Sequence, residues 1–455
     1  MVEWKNKPDL STPLDADHLN QYSVDLTAIA DAADASATAA AASAALAVAP
    51  TDAAMAAAVG NPASATRVSL GSTYGPRSLL RESKAGSRGF AFCGDSNTAN
   101  GVTNAGTVIL APTPFLIATS WVAWAVGTGA GRWHLAAHAA LGGITPATWR
   151  STMLPGVIAA APFAAVEMLG TNDVANLATQ ITELTAIYDA FDAAGIRVIV
   201  CSIPPMTSAI ADVVRLNTWK QATARARGYL FVDNYAALVD YTTGFYLAAY
   251  DSGDGTHFNT AGAKAVGVAF NAAINAAYSD VSMLAKAQPA PALLLDKPLM
   301  LAKTGLVPEG WVSLGYGNGG LSEDVVAGIV GKAHTMSQAV DSGNTVSTAA
   351  TFLANLIPGH RYRMDYKYVL TVVGTVPTSA YVRLEIATGG GDLLHSLDLS
   401  GAGGVPLSTV SYEFVCPTMS AYNYRIHAVI TGGGVGTKMQ IGQCTVIDLT
   451  LAGLA

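Results

Sequence analysis

Residues 179–203 read TQITELTAIYDAFDAAGIRVIVCSI, and this stretch decides the fold class. Thr179–Ala194 carries apolar residues at helical spacing and is stopped by Gly195. Arg197–Ile203 then runs as a short, β-branched, apolar segment of strand length. The same alternation extends outward in both directions. Gly89–Cys93, Val166–Leu169 and Leu230–Asp233 read as further strands. Asn217–Arg227, stopped by Gly228, and Ala261–Ala277 read as further helices. Strands alternating with helices of this length predict an α/β/α layer over residues 89–280, with a parallel sheet covered on both faces.

The texture changes on either side of that segment. Residues 281–300, with Pro289, Pro291 and Pro298, read as a linker. Residues 301–455 are rich in Gly, Thr, Ser and Val and hold the alternating runs Arg361–Leu370, Ala380–Ile386 and Tyr422–Ile430, which predict an antiparallel β-sandwich or jelly roll. Upstream, residues 63–88 read as a connector. Residues 1–62 hold an Ala-rich stretch in which Tyr22, Leu26, Ile29, Ala33, Ser36, Ala40, Ser43 and Ala47 alternate spacings of four and three. That spacing is a heptad seam of small residues needing partner chains; the alternative is a low-complexity flexible linker.

At 455 residues the chain can hold about two or three domains. A net charge of -7 without any run of Lys and Arg excludes nonspecific nucleic-acid binding. No leader with an apolar core is visible at Met1–Lys5. The uncharged stretch Val108–Val126 contains Pro112 and Pro114 and fits a buried loop and core helix rather than a membrane span. Four cysteines are too few for a disulfide scaffold: Cys93 and Cys201 read as buried thiols, and Cys416 and Cys444 are candidates to pair. Neither a phosphate-binding Gly-Lys-Ser/Thr loop nor a CxxC zinc spacing is present, so no metal or cofactor is expected.

Four short strings carry chemistry. In Phe92-Cys93-Gly94-Asp95-Ser96 a serine stands just past a strand, where ligands bind in parallel sheets. A serine hydroxyl is a weak nucleophile and needs a base within hydrogen-bond reach. Asp254-Gly255-Thr256-His257 offers one: Asp254 can fix the imidazole tautomer, and His257 can take the serine proton. Gly170-Thr171-Asn172-Asp173 follows a strand and presents an amide donor. Gly142-Gly143-Ile144-Thr145 offers a backbone N–H without a Cβ in the way. Asp95 and Asp173 read as structural hydrogen-bonders. Trp121, Trp124, Trp133 and Trp149 read as core, the other reading being the wall of a substrate cleft.

In their order along the chain the four strings resemble the sequence blocks of the GDSL/SGNH hydrolase family, over about residues 87–280. The resemblance implies a serine esterase working through an acyl-enzyme, with Ser96 as nucleophile, His257 as base and Asp254 as its partner. It also implies an oxyanion hole formed by the Ser96 N–H, Asn172 and Gly143, with Gly142 as the alternative glycine. The chain departs from the pattern at Asn97, where the family often has an apolar residue, and in the unusually apolar segment Ala99–Gly131.

A second resemblance lies at the N-terminus. Trp4-Lys5-Asn6-Lys7-Pro8-Asp9, with Thr12–Asn20 and the later Pro62–Arg67, is similar to the start of minor tail proteins from phages of actinobacteria. It implies a virion tail appendage bound to other tail proteins through its N-terminus, a homotrimer made in the host cytoplasm. On that reading the substrate is an acylated glycan of the host envelope, most simply an O-acetyl ester. A lipid or mycolate ester is the alternative substrate, and a receptor-binding protein with an idle hydrolase fold is the alternative function.

Overall fold

The computed structural model describes residues 88–102, 109–110, 115–284, 298–315, 319–339, 345–351, 356–386, 393–401, 403–416 and 424–452. The Ala-rich heptad seam and the tail-protein motif lie outside the described residues.

The α/β segment is built on a sheet of β1 (Gly89–Gly94), β2 (Ile109–Leu110), β4 (His134–Ala140), β5 (Ala164–Met168), β6 (Arg197–Cys201) and β7 (Leu230–Val232), in the order β2-β4-β1-β5-β6-β7. All neighbours are parallel except the edge strand β2, which pairs antiparallel with β4. The chain order of the five parallel strands is flavodoxin-like, and its direction reverses between β1 and β5. Alternation along β1 sends Phe90 and Phe92 into one hydrophobic layer and Ala91 and Cys93 into the other.

Seven described helices cover the sheet: α1 (Ser96–Ala99), α2 (Trp121–Gly127), α3 (Pro146–Thr152), α4 (Leu154–Ala160), α5 (Leu177–Ala193), α6 (Ile210–Arg227) and α7 (Thr260–Ala277). On one face α2 and α7 bring Trp121, Trp124, Val266 and Phe270 against Phe90 and Phe92. On the other, α3 to α6 bring Trp149, Val157, Leu184 and Leu216 against Ala91 and Cys93. Helix α6 stops at Gly228 with φ +67, a left-handed cap that glycine adopts without strain. It begins at Ile210, ahead of the Asn217 start read from sequence.

The C-terminal segment forms two facing sheets. One is ordered β10 (Trp311–Gly315), β13 (Thr345–Thr351), β18 (Tyr424–Thr431), β15 (Ser379–Ile386), β16 (Leu393–Asp398) and β3 (Phe115–Ile117). The other is ordered β11 (Gly319–Asp324), β12 (Ala333–Gln338), β19 (Lys438–Asp448), β14 (Arg361–Thr371) and β17 (Val405–Val415). A small hairpin, β8 (Lys303–Thr304) and β9 (Val307–Pro308), precedes them. Every strand pair within the two sheets is antiparallel except β16 with β3. Met364, Tyr366, Ile426 and Leu384 meet between the sheets, the inner face of a β-sandwich.

The α/β layers and the sandwich are joined closely. Strand β3 leaves the α/β segment to extend a sandwich sheet beside β16. The Thr409 N–H donates to the Gly129 carbonyl at 2.8 Å, and the Gly131 N–H donates back to Thr409. A Cβ on Gly127 would fall 2.2 Å from Leu399 Cδ1, so any side chain there would have to displace the Leu399 side chain from the end of helix α2. Between the two parts, buried Arg363 pairs with Asp365 at 2.9 Å and with Glu413 at 3.3 Å, and Glu413 also meets buried His134.

Two sequence expectations change here. Cys416 and Cys444 are free thiols, not a disulfide, because strand β14 lies between the strands that carry them. The seven-residue strand β4 was not anticipated: HLAAHAA has little β propensity, and only its place beside β1 makes it a strand. No described helix is long and apolar enough to cross a membrane.

Candidate active site

The parallel strands end where the four strings lie, and β1 and β5 flank the point at which the sheet order reverses. Ser96 is the first residue of helix α1, immediately past β1. The turn is fixed by Asp95, whose Oδ1 accepts from the Asn97 N–H at 3.1 Å and whose Oδ2 accepts from the Thr171 N–H at 3.1 Å. One buried carboxyl thus ties the serine turn to the loop after β5. Burial pushes the Asp95 carboxyl above its usual range, against the opposing hydrogen bonds from Thr171 and Asn97.

His257 meets this turn from the far end of the segment. Its Nε2 lies 2.8 Å from Ser96 Oγ, and its Nδ1 lies 2.7 Å from Asp254 Oδ2. A carboxylate only accepts hydrogen bonds, so Nδ1 carries the proton and Nε2 is left to accept from the serine hydroxyl. Asp254 Oδ1 accepts from the Thr256 and His257 N–H groups, both at 2.8 Å. Partial desolvation works to raise the Asp254 carboxyl, but the hydrogen bonds from His257, Thr256 and Ser252 prevail and hold it well below the usual carboxylate range. The pair is open to solvent, with side chains 33% (His257) and 52% (Asp254) exposed.

The supporting turn is built to need glycine at one point. Gly255 has φ +68, and a Cβ there would fall 2.2 Å from Thr207 Oγ1. Asp251 Oδ1 accepts from the Gly253 and Gly255 N–H groups. Asn259 closes the turn and opens helix α7: its Oδ1 caps the Ala261 and Gly262 N–H groups, and its Nδ2 donates to the Ala249 and Asp251 carbonyls.

Asn172 lies on the loop after β5. One proton of its amide goes to the Ile144 carbonyl at 3.0 Å, linking this loop to the Gly142-Gly143 loop, and the amide carries a second proton. Gln180 holds the loop from beneath by donating to the Asn172 carbonyl at 2.7 Å. Of the two glycines, Gly142 lies beside the serine, where an added Cβ would come 3.9 Å from Ser96 Cβ. Gly143 has φ +74 and open space around it. Ser96, His257, Asp254, Asn172 and the glycine loop are therefore brought together from four separate segments of the chain.

The four tryptophans do not wall the site. Trp121, Trp124, Trp133 and Trp149 are buried, with Trp133 stacked on Phe90 at 5.2 Å. Asp173 adopts φ +65 and accepts from the Asn176 amide, a structural role. Sequence reasoning did not single out Tyr246 or Asp251. Each acts on backbone groups of a turn, Tyr246 on the Thr256 carbonyl and Asp251 on the Gly253 and Gly255 N–H groups, and such contacts leave no motif.

A further buried group underlies the loop after β5. Glu167 accepts from the Leu169 N–H at 2.6 Å and from Lys220 Nζ at 2.8 Å on Oε1, and from Tyr188 Oη at 2.7 Å on Oε2. Lys220 also donates to the Cys201 carbonyl. Both charged side chains are fully buried.

Comparison with known proteins adds a family resemblance. Residues 92–265 match the model of the GDSL-like Lipase/Acylhydrolase family. No curated protein sequence matches the chain. Similar solved structures include a candidate acylhydrolase from Bacteroides fragilis, 20% identical, covering 42% of this chain and 88% of that one with a TM-score of 0.33. A candidate lipolytic protein of the G-D-S-L family from Desulfitobacterium hafniense is 18% identical, covering 41% and 99% of the two chains with a TM-score of 0.34. A GDSL-like lipase from Bacteroides thetaiotaomicron is 18% identical, covering 46% and 98% with a TM-score of 0.32.

Proposed function

We propose that this chain is a serine esterase that removes short acyl groups, O-acetyl first among them, from a cell-envelope polysaccharide. The observation that carries the esterase reading is the unbroken line from Asp254 Oδ2 through His257 to Ser96 Oγ, with contacts of 2.7 and 2.8 Å. An idle hydrolase fold has no need of such a relay.

Ser96 Oγ attacks the ester carbonyl while His257 Nε2 takes its proton. Asp254 stabilises the imidazolium that forms. The oxyanion is met by the Ser96 N–H, which as the first residue of a helix has no intrahelical partner, by a backbone N–H of the Gly142-Gly143 loop, whose Gly142 lies beside the serine, and by the second proton of the Asn172 amide. His257 then protonates the leaving alcohol. Water, activated by the same imidazole, attacks the acyl-serine and releases the acid.

The substrate class is inferred from exposure and packing. The His257–Asp254 pair is open to solvent, and the large aromatics that would line an apolar cleft are spent in the core. An open site of this kind suits an acyl group projecting from a polymer better than a long chain that must be enclosed. The N-terminal resemblance to phage tail proteins supplies the setting we propose: a trimeric virion appendage, attached through its N-terminus, that deacylates the host surface during adsorption.

The test compares wild type with Ser96→Ala on p-nitrophenyl acetate and p-nitrophenyl octanoate, and then measures acetate released from purified actinobacterial envelope glycan. We expect Ser96-dependent turnover, acetate faster than octanoate, and acetate release from the glycan. Equal rates for the two proteins would sink the esterase reading. Strong preference for octanoate would replace the glycan by a lipid ester.

A further inference from the structure

Asn97 stands beside the nucleophile where an apolar side chain would pack, and the reaction outlined above does not use it. Its side chain is buried. Its Nδ2 lies 3.5 Å from Thr171 Oγ1 and 3.5 Å from the Thr256 carbonyl. Its Oδ1 is buried without a hydrogen-bond partner. A buried acceptor left unmatched lowers stability, so packing does not explain the asparagine.

The two atoms that Nδ2 faces explain it better. Thr171 precedes Asn172, and Thr256 precedes His257. The Thr256 carbonyl also accepts from Tyr246 Oη at 2.9 Å, and Tyr246 is itself buried. Both contacts of Nδ2 are long and individually weak. Made by one planar group on the residue after Ser96, they still constrain geometry. They fix the orientation of the amide, because turning it over would set Oδ1 against the Thr256 carbonyl.

We propose that Asn97 is a positioning residue. Its amide spans the serine turn, the Asn172 loop and the His257 turn, and with Tyr246 it clamps the Thr256 carbonyl so that His257 Nε2 stays within reach of Ser96 Oγ. The inference rests on the esterase reading for its catalytic consequence. Sites of this kind work only within about 0.5 Å of the productive geometry, which is the scale of slack an unclamped turn would have.

The test uses the full chain with Asn97→Leu, Asn97→Asp, Tyr246→Phe and the double variant N97L/Y246F. Two rates are followed: kcat on p-nitrophenyl acetate and the rate at which a fluorophosphonate labels Ser96. We expect Asn97→Leu and Tyr246→Phe each to lower both rates roughly tenfold, with KM within about twofold and the thermal midpoint nearly unchanged. The double variant should lose less than the product of the singles, since both hold one carbonyl. Asn97→Asp keeps the size but turns an acceptor toward that carbonyl, and should be at least as slow as Asn97→Leu. Wild-type rates in Asn97→Leu or Asn97→Asp would overturn the proposal, as would a fall in thermal midpoint alone. Should no protein exceed Ser96→Ala on the acetate ester, the esterase reading fails, and the labelling ratios still decide the clamp.

Discussion

Replacing Asp254 by asparagine is the sharpest perturbation the site allows. The new side chain is nearly the same size, and its neighbours dictate how it must lie. Two backbone donors, the Thr256 and His257 N–H groups, converge on Oδ1 at 2.8 Å, so the amide oxygen must stay there. Its NH2 group then points at His257 Nδ1, 2.7 Å away in the wild type. An amide NH2 only donates, which forces the imidazole to accept at Nδ1 and to carry its proton on Nε2. That nitrogen faces Ser96 Oγ at 2.8 Å and can no longer take a proton from it. Losing the charge-assisted bond alone costs about 1.5–3 kcal/mol. The wrong tautomer brings the total to about 5.5 kcal/mol, on the order of 10⁴ in kcat. Exposure of Asp254 weakens the purely coulombic share but leaves the tautomer argument untouched. The assay is kcat and KM on p-nitrophenyl acetate beside a thermal melt. The expected result is a loss of about three to four decades in kcat, little change in KM and an intact fold. An Asp254→Asn protein that keeps a tenth of wild-type kcat would refute the reasoning.

Three further outcomes are expected. Asn172→Ala removes one oxyanion donor and should lower kcat by about 10²–10³ with KM little affected; an unchanged kcat would remove Asn172 from the oxyanion hole. Glu167→Gln leaves Lys220 buried and unpaired, and Lys220→Met does the same to Glu167, so each should cost about 3–5 kcal/mol in urea unfolding while the double variant recovers most of it; additive losses would refute the pairing. Burial holds His138 and His334 at about 4, below their unfolded value near 6.5, so the unfolded chain binds protons first. Their contribution is complete above about 6.5 and is lost as the pH falls from there through about 4, by up to about 1.4 kcal/mol per pH unit for each histidine; denaturation curves across that window should show the slope, and His138→Gln should remove about half of it.

The parts of this fold that could be read from sequence are those where burial is symmetrical. Strands β1, β5, β6 and β7 lie inside a sheet covered on both faces, so each appears as a short apolar run bounded by turns. Strand β4 lies in the same sheet but is made of alanine and histidine with a single leucine, and its identity comes from its neighbours. In the sandwich, β14, β15 and β18 read as alternating runs and β17 does not; β17 and β14 carry Glu413, Ser411, Arg363 and Asp365 into a buried interface with the α/β layers, where Glu413 meets His134. Polar residues there are inside rather than outside, which a two-period pattern cannot register. Within the site, Ser96 and His257 were legible because chemistry restricts them to few residue types. The contributions of Asn97 and Tyr246 depend on side chains meeting backbone carbonyls far along the chain, and no spacing encodes that.

Strand β3 has a consequence for the moment at which this protein becomes whole. Phe115–Ile117 emerges early in synthesis, but its partner β16 (Leu393–Asp398) comes long after the α/β segment has left the ribosome. At ordinary elongation rates the delay between the end of α7 and the arrival of β16 is on the order of ten seconds. Throughout that interval β3 lacks its strand partner, and the Gly127 end of α2 lacks the Leu399 contact that closes over it. The α/β segment is therefore completed by the last third of the chain. A protein cut at the linker would be held permanently at that unfinished stage, its open strand edge offered to other chains.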